Sequence, residues 1–112
     1  TTPGQKRQRP AFVNLEMFTV NLQPEDSGQF LQVGLTVKTR ESPVGAAIAK
    51  QMPEIRNRIL MLLSSKKAAD VAGIVGKQQL SQQITEEIKQ SMGSDELKED
   101  VLEVLFTSFV IQ

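Results

Sequence analysis

The chain contains no cysteine, histidine, tryptophan or tyrosine, and these absences close off several chemistries. Without cysteine there is no disulfide and no thiolate nucleophile, and the cysteine-based zinc spacings cannot occur. Without histidine, the commonest general base and transition-metal ligand is missing. A lack of thiols fits an oxidising compartment, where stray thiols are a liability. No apolar run reaches the length that spans a bilayer, and no signal-peptide pattern is present. The chain begins at Thr1 rather than Met, which reads as a fragment or a processed protein.

Net charge is also missing: 13 Lys and Arg balance 13 Asp and Glu. That total draws the chain to neither nucleic acid nor an anionic membrane. The halves differ, however. Residues 1–67 hold ten basic and five acidic side chains, and residues 68–112 hold three and eight, hence +5 and −5. A domain polarised in this way can stack head to tail with copies of itself or meet charged partners. Simple differences between solvated faces would give the same count. The basic set includes Lys38, Arg40, Arg56, Arg58, Lys66 and Lys67; the acidic set includes Glu86, Glu87, Glu96, Glu99 and Asp100.

With 112 residues there is room for one domain, a sheet with one layer of helices. Residues 1–11 open on TTPGQKRQRP, a linker by composition. Ala11–Leu22 reads as a strand whose apolar parity changes at Met17-Phe18, as an inserted bulge would produce. QPEDSGQ (23–29) is a turn, and Phe30–Arg40 alternates cleanly, so the two strands form an antiparallel hairpin. Ser42-Pro43 predicts a helix start. The stripe Ile48, Met52, Ile55, Ile59, Leu62 then predicts a helix, kinked or split at Pro53, over about 44–63. Ile55, Ile59 and Leu62 are expected to pack on Leu31, Val33, Leu35 and Val37. A short helix follows over 66–72, another over Lys77–Met92 stopping at Gly93, and then an acidic connector, SDELKED (94–100). Val101–Gln112 carries apolar residues in both parities, which reads as a strand covered on two faces. The fold class is therefore α+β: a small antiparallel-rich sheet of about three strands with helices on one face, in the order β-β-α-α-β. A last strand that is apolar on both sides and lies at an edge calls for a copy or partner to cover it.

Three candidate chemistries fail on spacing. Asp95, Glu96, Glu99 and Asp100 run in pairs without the glycine turn of a hard-cation loop. Ser64-Ser65-Lys66-Lys67 places two adjacent lysines in different directions, whereas a Ser/Lys nucleophile needs one buried, desolvated ammonium. Gly73-x-x-Gly76-Lys77 lacks a leading strand and the hydroxyl residue after the lysine, since Gln78 follows. No catalytic residue, cofactor or metal is assigned, and a binding or assembly module is the expectation.

An ordered set of segments resembles the periplasmic domain of the flagellar basal body-associated FliL family. These are Phe18-Thr-Val-Asn-Leu22, Phe30-Leu-x-Val-x-Leu-x-Val37, Pro53-Glu-Ile-Arg56 with Ile59-Leu60 and Leu62-Leu-Ser-Ser-Lys66, Gly76-Lys77-x-x-Leu80, and Val104-Leu-Phe-Thr-Ser-Phe-Val-Ile-Gln112. The resemblance implies residues 12–112 as the domain and residues 1–11 as the end of a stalk from a transmembrane helix that this chain lacks. It implies a stomatin/prohibitin-like (SPFH) fold and a location in the periplasm, attached to the bacterial inner membrane at the flagellar basal body. The implied role is non-catalytic, without cofactor. The protein would associate with stator proteins of the MotA/MotB or PomA/PomB type, supporting their assembly or torque under load, and would form a membrane-anchored ring with itself. The alternative is a general stomatin-like envelope adaptor with no flagellar role. Residues 56, 58, 66, 67, 96, 99 and 100 (Arg56, Arg58, Lys66, Lys67, Glu96, Glu99, Asp100) are the expected partner or self-assembly set.

Overall fold

The computed structural model describes residues 9–41 and 43–112. Most of the expected linker (1–8) and the expected cap Ser42 lie outside that range. Three strands, β1 (Pro10–Asn21), β2 (Phe30–Arg40) and β3 (Val101–Ile111), form one sheet in the order β1-β2-β3. Both pairings are antiparallel. Between β2 and β3 the chain forms helices α1 (Val44–Lys50), α2 (Met52–Ser64), α3 (Gly73–Gln90) and α4 (Asp95–Asp100), giving an α+β domain.

β2 is the spine. Leu31, Val33, Leu35 and Val37 are all fully buried on the face beneath the helices, while Gln32, Thr36 and Lys38 occupy the other face, as strict alternation dictates. On the outer face Met17 and Ser108 flank Gly34 across the sheet. A Cβ there would stand 2.9 Å from Met17 Sδ and 2.6 Å from Thr107 Oγ1, so the close approach requires glycine.

β1 carries the bulge, but earlier than Met17-Phe18. Asn14 pairs with Thr36 and Glu16 with Leu35, which leaves Leu15 as the extra residue. Glu16 takes φ 67° and donates its N–H to Asn14 Oδ1 at 2.8 Å. Leu15 therefore turns inward with Phe18, Val20 and Leu22, and Met17 is rotated out to 44% exposure.

The break between the first two helices follows from the prolines. Pro43 precedes α1, and Pro53 lies in the first turn of α2, where its missing N–H leaves no intrahelical bond unmade. The expected 44–63 helix is thus two helices that break at Gln51. The buried stripe of α2 is Ile55, Ile59 and Leu63, not Leu62. The last step is four residues rather than three, and both candidates are leucine. The expected 66–72 helix is only a 3₁₀ turn, Ala68–Val71, and Lys67 donates its N–H to Asp70 Oδ2 at 2.9 Å. Gly73, at φ 69°, redirects the chain, so α3 starts four residues before Lys77. Its Leu80, Ile84 and Ile88 are buried as the i, i+4 spacing requires. α3 ends at Gln90, short of Gly93. The acidic connector is helix α4, capped by Ser94 Oγ accepting from Leu97 N–H at 3.2 Å.

β3 departs most from expectation. Only Val101 and Val104 are buried; Phe106, Phe109 and Ile111 are half-buried, and Val110 is 40% exposed. Among the described residues β3 pairs only with β2 and has α3 on one face, so no further strand pairs with its outer edge.

Candidate assembly surface

Edge strands present unpaired N–H and C=O groups, and this domain closes some of its own with side chains from the helices. On β1, Arg56 of α2 donates from Nη1 to Leu15 O at 2.6 Å and from Nη2 to Met17 O at 3.1 Å, and its guanidinium lies 4.0 Å from the Phe18 ring centroid. Beyond the end of β1, Gln23 donates its N–H to Lys66 O at 2.8 Å and its amide to Ser64 O at 3.0 Å. On β3, Ser81 Oγ of α3 donates to Val104 O at 2.6 Å, and Thr85 Oγ1 accepts from Val104 N–H at 3.1 Å. These two hydroxyls satisfy one edge residue as a fourth strand would.

The expected charged set divides into three groups. Arg56 is committed to the β1 bulge. Arg58 pairs with Glu87 of α3 at 3.3 Å and with Glu54 at 3.7 Å, so it binds α2 to α3. Lys66 and Lys67 sit at the turn end of the sheet, beside Gln23. Glu96, Glu99 and Asp100 lie on α4 at the opposite end, where Arg40 donates to Glu99 O at 2.8 Å and faces Asp100 Oδ1 at 3.5 Å. Between the two ends runs β1, twelve residues, or roughly 40 Å at about 3.3 Å per residue.

The charge polarity is nevertheless shallower than the +5 and −5 halves. Arg58–Glu87 and Arg40–Asp100 each join a basic-half residue to an acidic-half one inside the domain. Asp70 accompanies Lys67 at the turn end. Sequence reasoning missed Ser81, Thr85 and the clamping role of Arg56. The hydroxyl pair was visible only as i, i+4 spacing, and nothing in the sequence shows that a strand edge lies against it.

Among the described residues there is no group of three or more Asp or Glu placed to hold a metal ion, and no helix is long and apolar enough to cross a membrane. Fold and surface define a small α+β module in which the polar groups described above serve the structure.

The family that matches is described as flagellar basal body-associated protein FliL, over residues 12–112, and the chain belongs to it. Its members are flagellar structural and accessory proteins rather than enzymes. The chain is 32% identical over 103 residues to a flagellar protein FliL of Escherichia coli K12, covering 92% of this chain and 66% of that protein. It is 27% identical over 95 residues to a flagellar protein FliL of Aquifex aeolicus, covering 85% of this chain and 56% of that protein. It therefore spans just under two thirds of the first relative and little over half of the second.

Proposed function

We propose that this domain is a periplasmic scaffold of the flagellar motor, held at the inner membrane, that associates with the stator and supports its assembly or its torque under load. Family membership over residues 12–112 carries this reading. Its strand–helix–strand order is compatible with a stomatin/prohibitin-like (SPFH) architecture. Self-assembly is head to tail: Lys66 and Lys67 at the turn end of one copy meet Glu96 and Glu99 of α4 on the next. The placement of these groups at opposite ends of the sheet supports such a contact. A heterologous contact of this kind closes into a ring when its rotation fits. Exposed pairs contribute only about 0–1 kcal/mol each, so ring formation depends on the raised local concentration that a shared membrane provides.

The test is made in the full-length protein in a motile host. Deleting the gene should reduce swimming or swarming while filaments remain. Lys66→Glu with Lys67→Glu should do the same at normal protein levels, and adding Glu96→Lys with Glu99→Lys should restore motility in part. Unchanged motility on deletion removes the motor role; a reversal pair that restores nothing removes the head-to-tail contact.

A further inference from the structure

The outer edge of β3 is closed at Val104 and open beyond it. Phe30 and Gln112 exchange both backbone hydrogen bonds, at 2.8 and 2.9 Å. Antiparallel pairing alternates, so Ser108 and Val110 also turn their N–H and C=O toward β2, and Phe109 and Ile111 turn theirs outward. Among the described residues no group of the domain reaches these outward pairs. Every other guard is local: Arg56 for Leu15 and Met17, Ser81 and Thr85 for Val104.

Two further observations concern the same segment. From Val104 to Gln112 nine residues pass without a charge, a proline or a glycine, so of the usual devices that blunt an edge strand this segment carries only a bulge, at Thr107, where the register with β2 shifts. α3 also lays a stripe along β3. Thr85 and Ser81 meet Val104, Lys77 Nζ lies 4.6 Å over the Phe109 ring, and the next step of that stripe is Ile74, which is 75% exposed. An exposed isoleucine thus stands at the end of the helix that borders the open edge.

We propose that the Phe109–Ile111 edge pairs antiparallel with the same edge of a second copy, about a two-fold axis at Phe109. The edge suits itself. A two-fold sets Phe109 against Phe109 of the other copy, exchanging both backbone bonds, and sets Ile111 against Thr107. No like charges of the paired segments meet, because Val104–Gln112 carries no charged side chain. This contact is isologous and separate from the head-to-tail contact proposed above. Lys77 lies over the Phe109 ring at the axis, and the two-fold brings two such ammonium groups toward each other. Screening by salt therefore strengthens this contact, whereas it weakens one that joins lysines to carboxylates.

Sedimentation and amide hydrogen exchange of the 112-residue chain test it. The expected result is a monomer–dimer equilibrium whose dimer fraction rises with NaCl. With it, the amides of Phe109 and Ile111 should exchange at least about tenfold more slowly in the dimer than in the monomer. Phe109→Pro removes an N–H that the monomer does not use and should abolish dimerisation. Should that variant unfold, Thr107→Lys, at an exposed position facing Ile111 of the second copy, should weaken the dimer at least about tenfold. A chain that stays monomeric at about 1 mM in every salt concentration overturns the proposal. A dimer in which both amides exchange as in the monomer also overturns it. So does protection that arises only when a synthetic extended Thr/Val peptide is added, which would make the occupant a foreign strand.

Discussion

Arg56 is a charged residue whose fork geometry, more than its charge, matters to the fold. Leu15 bulges out of register, and the carbonyls of Leu15 and Met17 turn to the edge, where two guanidinium nitrogens meet them while the same plane lies over Phe18. Lysine cannot span two carbonyls in this way. Arg56→Lys is expected to cost about 1–3 kcal/mol in urea unfolding and to speed amide exchange around the bulge. Ile59, fully buried in α2, gives the complementary case: Ile59→Ala should cost about 2–4 kcal/mol through lost burial and the cavity left behind. An unchanged unfolding midpoint would contradict the packing. Thr39 runs the other way. It is 1% exposed, and its Oγ1 has no hydrogen-bond partner among the described residues. Thr39→Val removes an unsatisfied hydroxyl at constant shape and should be neutral or stabilising by about 1 kcal/mol in the same measurement.

At the scale of elements, α3 and β3 form a unit joined by side chain to backbone. Thr85 Oγ1 donates to Ser81 O at 2.8 Å and accepts from Val104 N–H, while Ser81 Oγ donates to Val104 O. Thr85→Val leaves the buried Val104 N–H without an acceptor and should cost about 1–3 kcal/mol. Thr85→Ser keeps the acceptor and should cost less; equal losses for the two variants would deny the hydroxyl its part. The elements that sequence reading anticipated well are those with a strong period. β2 alternates without a break, and α3 repeats at i, i+4. Those it misread lack a period or offer two equal choices. α4 has six residues, of which only Leu97 is apolar, so no stripe marks it, although Ser94 was a legible cap. Leu62 and Leu63 are the same residue type, and only the sheet beneath selects one. The bulge was legible as a parity change, but whether it falls at Leu15 or at Met17-Phe18 depends on which residue tolerates a left-handed φ with a local acceptor. Glu16 has one in Asn14. The expected assembly residues were chosen by charge alone, and sequence holds no record of which charges the fold itself consumes.

For the whole molecule, the balance of charge separates folding from association. Among the described residues the two ion pairs between elements, Arg58–Glu87 and Arg40–Asp100, have side chains that are 24 to 40% exposed. Pairs so placed contribute about 0–1 kcal/mol each and are screened by salt. The core, by contrast, is a continuous cluster that runs from Leu15 and Phe18 through the β2 row to Ile59, Ile84 and Val104, and salt does not screen burial. Unfolding of the isolated chain, at concentrations where it is monomeric, should therefore shift by no more than about 2 kcal/mol between low and high NaCl. Calcium or a chelator should leave its melting temperature unchanged. The acidic side chains of α4 are spread around six residues, and two of them already answer cations: Asp100 meets Arg40, and Asp95 lies 4.0 Å from Lys98. A ligand that binds only the folded state must raise the melting temperature by mass action. A calcium-dependent rise of several degrees in differential scanning calorimetry would therefore mean that α4 gathers its carboxylates around a cation, and the acidic end of the domain would then be a metal site before it is a contact surface.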